Sequence, residues 1–553
     1  MEAISLAYGL NHYSLDRPLQ SLLRAFSPTQ WDFRGLGEYA GTVLYELGYR
    51  VDRLSQPILV NWGVSGERAD VAWLDPLERE ALRRLVLDYG VNRHPFEGRP
   101  WHLHYTGIYL VGDPGVSCIL TITIQTAYAL YKYGEGEPRE AYRGLAGLAP
   151  EPLWGATWFT EVQGGSDLGA NTARAEPVAG RLHRLYGYKY FASGAGVADW
   201  ALTTARLPGS RPGAKGLSLF AVPRLSSEGR LNYHVRRLKW KSGTVSVPSG
   251  EVEYTGTEAY LIGDPGKGIY YTLEDLMVSR LSNAIGALGI ARKAYLEAYG
   301  YASIRRAFGR RVREHSLAHR DLLEAEAELE AMLALTMYAI SLFDKAWRDE
   351  PPYTPAYHYA RLMTHIAKNM TAEAAARITM TAMELFGGIG FLHEFPVERW
   401  HREALITPIW EGTSNIQALD MLEAIAKKRA HEPYLEAMEE LAASARETGI
   451  AEEALEHAKK ALRLLEEARD PEFHAKTVLR RLGEAAAVLL LLEAARLTGD
   501  HGLQVAAETY HALRIRGHLD EPDPAEARLV TSLRGALDEV DWDAKAREAS
   551  PGI

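Results

Sequence analysis

The sequence predicts a mainly α-helical protein with one small β domain set inside it, and three observations carry that prediction. From residue 264 to about 426 helical periodicity persists over long distances, with few breakers between Tyr270 and Phe343. Residues 153–263 break instead into short runs of strand-like composition separated by Gly and Pro. Beyond His431-Glu432-Pro433, Ala, Leu, Glu and Arg dominate and apolar residues again recur at helical spacing.

Taken in chain order, these signals divide the sequence into four parts. Residues 1–152 read as an N-terminal helical domain, in which Leu77 to Tyr89 is a charged amphipathic helix and Ser117 to Tyr133 a largely buried one. Residues 153–263 form the middle β domain, a barrel or sandwich. Its strands are expected at Arg181 to Tyr190, Trp200 to Ala205, Leu217 to Val222 and Gly250 to Tyr254, with Pro208 to Gly216 as a loop. Residues 264–426 give a four-helix bundle, and residues 427–553 an additional helical domain built on Leu455 to Leu465 and Val478 to Leu497.

Composition narrows the function classes. A chain of 553 residues with 47% hydrophobic and 24% charged residues can bury a sizeable core, and it fits neither a disordered nor a fibrous class. The net charge of −10 offers no electrostatic footprint for nucleic acid. Cys118 is the one cysteine, so no intrachain disulfide can form, which suits a reducing interior. Met1 to Leu22 does not read as a signal peptide. The apolar run Ala485 to Leu492 is too short to span a bilayer. These readings lead to the expectation of a cytoplasmic protein with no membrane partner.

Five segments carry chemistry. In Ile409-Trp410-Glu411-Gly412-Thr413-Ser414-Asn415-Ile416-Gln417, a carboxylate sits between an indole and a glycine. Desolvation there would raise its pKa and fit it for proton abstraction near neutral pH. The plainer reading is a helix entry, with Thr413 or Ser414 as the cap and Glu411 a solvated neighbour. The other segments are Thr160-Glu161-Val162-Gln163-Gly164-Gly165-Ser166-Asp167, Lys189-Tyr190-Phe191-Ala192-Ser193-Gly194, Tyr301 to Gly309 inside a helical stretch, and Glu384-Leu385-Phe386-Gly387-Gly388-Ile389-Gly390, which runs on to Glu394, Arg399 and Glu403. His315 and His319 have the helical spacing of a metal pair but no companion ligand, so no metal site is expected. His102 and His104 read as local polar contacts.

In order and spacing, these segments resemble the flavin-dependent acyl-CoA dehydrogenase family over roughly residues 100 to 425. The resemblance implies FAD as cofactor, an acyl-CoA thioester as substrate, and removal of an α-proton and a β-hydride, with an electron-transfer flavoprotein as one possible acceptor. Glu411 matches the family's base. Arg280 matches an arginine at the substrate side that in some branches follows the base directly; here Ser279 precedes it, so that alternative base is absent. Phe159 and Thr160 match positions beside the isoalloxazine, Ser166 the pyrophosphate or CoA side, Phe191 a ring-packing position often held by Trp, and Ser193 the usual Thr near the flavin N5. As residues alone, Phe191 and Ser193 are equally an ordinary alternating strand. Arg305, with Phe308 as its companion, matches the arginine that reaches another subunit's pyrophosphate, which implies a homo-oligomer, expected as a tetramer. Glu384 stands near the adenosine end, Gly387 and Gly388 leave room for the phosphates, and Trp410, Thr413 and Asn415 complete the site.

Phe191, Ser193, Glu384, Gly164-Gly165 and Trp410 look like the AidB-type alkylation-response branch, as does the added C-terminal domain, although acyl-CoA oxidases carry such an extension too. In that branch the added domain is associated with DNA binding. Here residues 427–553 hold 18 basic against 25 acidic residues, a net of −7, with compact basic spots only at Arg480-Arg481 and Arg514-Ile515-Arg516. The leading expectation is therefore an acyl-CoA dehydrogenase-like enzyme. The alternative is an AidB-like protein of protection rather than turnover.

Overall fold

The structure is a computed structural model that describes residues 5–445 and 449–549. The outermost ends of the first and last predicted parts lie outside the described residues. The chain is mainly helical with a sheet in its middle, as expected, and it groups into two compact units. One, the helical unit, comprises residues 1–45, 100–114 and 280–553; the other, the sheet unit, comprises 46–99 and 115–279.

In the sheet unit, seven strands form one sheet: β3 (Gly155–Trp158), β4 (Arg174–Ala179), β5 (Leu182–Ser193), β6 (Trp200–Arg206), β7 (Leu217–Pro223), β8 (His234–Leu238) and β9 (Ser249–Ile262). Strand β7 pairs with both β9 and β6, which closes β6, β4, β5, β9 and β7 into a ring, with β3 on β6 and β8 on β9. The expected strands all appear, and β5 and β9 run longer than the sequence suggested. Register shifts at Leu185/Tyr186 and between Lys189 and Ala192 let those two long strands curve around the ring. The helix Pro114–Tyr133 packs Ala127 and Leu130 against Leu202, Leu217 and Leu219, so the buried helix read at Ser117 to Tyr133 is a lid on the barrel core.

A further hairpin, β1 (Ile58–Trp62) with β2 (Arg68–Trp73), lies in the part expected to be helical. Asp70 secures it: this fully buried carboxylate accepts from Asn61 at 2.6 Å, from Arg68 at 2.9 Å and from the Val235 backbone N–H at 2.9 Å. The hairpin is thereby tied to β8 by a side chain far away in sequence. The predicted helix at Leu77 begins at Pro76, where Asp75 caps it by accepting from the Leu77 N–H at 2.8 Å.

In the helical unit the long helices Ser316–Ala346, Pro355–Phe386 and Pro471–Thr498 pack together with Ser414–Lys428, and residues 280–304 of the helix Gly268–Ile304 join them. The apolar run Ala485 to Leu491 is completely buried in Pro471–Thr498. Among the described residues, no helix is long and apolar enough to cross a membrane. The stretch from Tyr270 to Phe343 is not one continuous helix. The first helix ends at Ile304, and Arg306–Ala307 pairs with Arg310–Arg311 as a tight hairpin whose tip, Phe308 (φ 48°) and Gly309 (φ 82°), is left-handed at both residues. That is the backbone twist a two-residue hairpin requires.

A buried ion pair holds the sheet unit's first motif. Lys189 on β5 is fully buried and donates to Glu161 Oε1 at 3.0 Å and to the Thr204 carbonyl at 3.0 Å. Glu161 also accepts from the N–H groups of Thr172 at 2.7 Å and Ala173 at 3.1 Å. Burial pushes the Glu161 carboxyl up, but the Lys189 charge and these N–H groups together hold it below its ordinary value. Its stabilising contribution is therefore present above the ordinary carboxylate pKa and is lost as the pH falls through the lower folded value. Lys189→Met, which strands this carboxylate, is expected to cost about 3–5 kcal/mol in denaturant unfolding, with part of the loss recovered on adding Glu161→Gln.

Candidate active site

The loop bearing Glu411 joins the helices Val397–Ala404 and Ser414–Lys428. Its backbone is left-handed at Glu411 (φ 58°) and Gly412 (φ 97°), a conformation uncommon for a residue with a side chain. Three long side chains converge on its carbonyls. Arg280 Nε donates to the Glu411 oxygen at 3.0 Å, Gln417 Nε2 donates to the oxygens of both Glu411 and Gly412 at 3.0 Å, and Lys368 Nζ donates to the Gly412 oxygen at 2.7 Å. Just upstream, the Trp410 indole N–H donates to Asn283, whose amide donates to the Thr407 carbonyl at 3.2 Å.

Two expectations need correction here. Glu411 is only half-buried, so the indole and glycine beside it do not enclose the carboxylate by themselves; the Trp410 ring turns its polar edge to Asn283. Arg280, expected at the substrate, is 4% exposed and spends its guanidinium on the Glu411 carbonyl and on Asp420 Oδ2 at 3.0 Å. The helix-entry reading is also incomplete. Thr413 occupies the cap position without a side-chain bond to the helix, while the Ser414 hydroxyl donates to Glu373 at 3.0 Å.

Beneath the loop lies a connected polar layer. His365 is fully buried; its Nδ1 lies 3.0 Å from Gln417 Oε1, and its Nε2 receives Arg361 Nε at 3.3 Å. This pattern fits a proton on Nδ1 and a lone pair on Nε2. Burial, with Arg280 and Arg361 adding to it against Asp420, lowers the His365 pKa to about 3, so the ring is neutral. Arg361 continues to Glu423 at 2.6 Å. Burial first, and then Arg280, lower the Lys368 pKa to about 7, opposed by Glu411 and Glu373.

The remaining expected residues of the helical unit sit at its surface. Gly387 (φ 68°) and Gly388 open the turn Gly387–Phe391, and a Cβ at either would meet no atom within 4 Å. That leaves the backbone approachable by a ligand, as phosphate groups require. Glu384 is exposed on the last turn before them. Tyr301 stacks on Phe386 with centroids 4.3 Å apart, which brings the arginine motif against the glycine turn. Arg305 is exposed just past the end of its helix, and Phe308 is 97% exposed at the hairpin tip. Asn415 is exposed on the first turn after Glu411.

The sheet unit places its own set along β3 and β5. Phe159 is buried at the end of β3 with Thr160 part-exposed beside it, and a Cβ on Gly165 would press on the Thr160 hydroxyl at 2.5 Å. Gly164 (φ 123°) is open, and Ser166 is exposed after it. Phe191 is 54% exposed, and the Ser193 hydroxyl lies 3.0 Å from that of Ser249. Trp158 Nε1 donates to the Ser193 carbonyl at 2.9 Å. His102 bonds the Met337 carbonyl and the Ser341 hydroxyl on the helix Ser316–Ala346, so its polar contacts are distant in sequence rather than local, and His315 bonds the Ala307 carbonyl at 2.9 Å. Sequence reasoning missed Lys368, His365, Gln417 and Asp420. The one available cue was their helical spacing, with His365 and Lys368 three residues apart on one helix and Gln417 and Asp420 likewise on another.

Comparison with known proteins fits this arrangement. The pattern described as "Acyl-CoA dehydrogenase, middle domain" matches residues 156–257, and "Acyl-CoA dehydrogenase, C-terminal domain" matches residues 266–426. Acyl-CoA dehydrogenase family member 11 of Caenorhabditis elegans is 30% identical over 437 residues, covering 75% of this chain and 70% of that protein. The chain belongs to the acyl-CoA dehydrogenase family. Another acyl-CoA dehydrogenase relative, AidB of Escherichia coli (strain K12), is 34% identical over 271 residues, 49% of this chain and 48% of that protein. The crystal structure of Caenorhabditis elegans ACDH-11 in complex with C11-CoA shares the fold at a TM-score of 0.83 and 24% identity, over 98% of this chain and 97% of that one. As an acyl-CoA dehydrogenase family member, the protein is an oxidoreductase of the flavoprotein class.

The two glycine positions lead to opposite expectations. At Gly412 an added Cβ would meet Gln417 Nε2 at 2.8 Å and Ile416 Cγ2 at 3.1 Å in a left-handed backbone, whereas at Gly388 it meets nothing. Gly412→Ala should lose at least about 1 kcal/mol in denaturant unfolding of the flavin-free protein, while Gly388→Ala should unfold like the wild type.

Proposed function

We propose that this protein is an FAD-dependent acyl-CoA dehydrogenase in which Glu411 removes the α-proton of an acyl-CoA thioester. The observation that carries this reading is the convergence of Arg280, Gln417 and Lys368 on the Glu411–Gly412 carbonyls, which fixes the backbone that bears one half-buried carboxylate. A base so held is pre-positioned, and it loses little freedom at the moment of reaction. FAD, when bound, supplies the acceptor for the β-hydride.

The residues present fit such a cofactor. The open backbone at Gly164, Gly387 and Gly388 can approach phosphates, and exposed Phe191 offers an aromatic face. We assign Phe159, Thr160, Phe191 and Ser193 to the isoalloxazine end, Ser166 to the pyrophosphate or CoA, and Glu384 with Gly387-Gly388 to the adenosine side. Arg305 and Phe308, both exposed, are assigned to a neighbouring subunit's cofactor in a homotetramer. Trp410, Thr413 and Asn415 flank the base. Arg280 acts through the Glu411 backbone and so supports the substrate site indirectly. The four parts 1–152, 153–263, 264–426 and 427–553 remain our reading of the domains. An electron-transfer flavoprotein is the proposed acceptor, and the cytoplasm, which suits a single cysteine, the proposed location.

The relative crystallised with C11-CoA supports an acyl-CoA substrate. A second reading, an AidB-like role in DNA protection, draws on the similarity to AidB. Against it, residues 427–553 carry a net charge of −7, and the basic spots lie beside acids: Arg514 pairs with Glu328 at 2.8 Å, Arg516 lies 3.7 Å from Glu453 and Arg480 lies 3.9 Å from Glu484. A charge balance of that sign opposes the approach of phosphates.

Glu411→Gln is expected to retain FAD yet abolish bleaching of the flavin by a competent acyl-CoA, read by absorbance in an anaerobic stopped flow, since the amide cannot take the proton. Wild-type reduction by this variant would place the base elsewhere. Duplex DNA should associate only weakly at low salt, with steep loss as salt rises, in a fluorescence anisotropy titration. A salt-resistant complex, together with a flavin that stays oxidised against a panel of acyl-CoAs, would favour the second reading.

A further inference from the structure

Lys368 is a fully buried lysine on the helix Pro355–Phe386, one of the three donors on the Glu411–Gly412 turn, and it moves no proton in the chemistry proposed above. Holding an ammonium group away from water is costly, and a packed apolar side chain would fill the same volume more favourably. Its amine is nonetheless aimed at one atom of the active loop, the Gly412 carbonyl oxygen, at 2.7 Å. That carbonyl belongs to the peptide unit next to Glu411, in the two-residue stretch where both φ angles are positive.

We propose that Lys368 is a positioning residue for Glu411: its donation to the Gly412 carbonyl locks the Glu411–Gly412 turn that carries the base. This inference rests on the reading of Glu411 as the base. The groups around Lys368 are arranged to suit it. Glu411 on the loop and Glu373 one turn along its own helix attract a proton to the amine, while burial and Arg280 on the facing helix oppose it. His365, one turn earlier, is neutral. Asp420 on the helix Ser414–Lys428 is committed to Arg280 and approached by Arg361 at 3.8 Å, and Glu423 is committed to Arg361. Glu484 on the packed helix Pro471–Thr498 is bonded to His457 at 2.9 Å. The charges on Glu411 and Glu373 are therefore the anions set against Lys368.

Arg280 and Gln417 share the work on the turn but cannot replace this contribution. Arg280 divides its guanidinium between the Glu411 carbonyl and Asp420, and Gln417 brings no charge. Lys368 alone among the three brings a charged donor to the Gly412 oxygen.

Two variants separate the parts. Lys368→Met removes both donor and charge, whereas Lys368→Gln can keep a donor to the Gly412 carbonyl without the charge. Hydrogen exchange of the flavin-loaded protein, followed by mass spectrometry over residues 405–417, should be at least about tenfold faster in Lys368→Met and close to wild type in Lys368→Gln. In acyl-CoA-dependent dye reduction, Lys368→Met should lower kcat with KM little changed, and Lys368→Gln should recover most of that loss. Wild-type exchange or wild-type kcat in Lys368→Met overturns the proposal. If no acyl-CoA reduces the wild-type flavin, the function proposed above fails, and hydrogen exchange still decides whether Lys368 holds the turn.

Discussion

The Glu411–Gly412 turn is held through its own backbone carbonyls, and the packing of the long helices around it depends on that. The peptide carbonyls on either side of Gly412 point toward the interior, where a guanidinium, a carboxamide and an ammonium bind them. Each donor comes from a different place: Arg280 from one long helix, Lys368 from another, and Gln417 from the first turn after the loop. The left-handed backbone is the means by which both carbonyls face inward together. The strain of that conformation at Glu411, of order 1–3 kcal/mol, is offset by the hydrogen bonds made to the turn, of which those from Arg280 and Lys368 are charged and worth about 1.5–3 kcal/mol each. The rest of the helical unit serves this arrangement by fixing the spacing of the long helices.

The same economy recurs away from the loop. Arg292 bonds Asp16 at 2.9 Å and Glu326 at 2.8 Å, with Tyr109 closing the group by donating to Asp16 at 2.5 Å. In the sheet unit, Lys189 and Glu161 play the corresponding part beneath the Thr160 motif. Buried ion pairs of this kind add little net stability compared with apolar side chains, but they tolerate few alternative arrangements.

How much of this was legible in the sequence follows from the range of the interactions involved. Strands β5, β6, β7 and β9 and the long helices were readable because their signal is local, an alternation or a 3.6-residue recurrence within one segment. The hairpin Ile58–Trp73 was not, because it is secured by Asp70 reaching Val235, and its strands keep apolar side chains such as Ile58 and Trp62 exposed. The break at Ile304 was hidden because the residues after it, Arg305 to Ala307, have good helix propensity, and only the Phe308-Gly309 pair betrays a turn. At the active loop Glu411 stood out by motif, whereas Lys368 and His365 lie more than forty residues earlier in an ordinary helical pattern. Arg280 was found for the wrong reason: its type was recognised, but its partner could come only from the fold.

One feature of the C-terminal helices bears on how the chain folds. Arg534 reaches back to the fully buried Glu330 at 2.8 Å and to Asp500 at 2.9 Å, and Arg514 reaches Glu328 on the same long helix. Glu328 also pairs within the bundle, with Arg377 at 2.6 Å, so it keeps a cation even without Arg514. Glu330 takes its two charged hydrogen bonds from Arg534, which lies 204 residues later in the chain. The charge inside the long helix is therefore balanced only once the C-terminal helices have docked on it, which couples the folding of the two stretches.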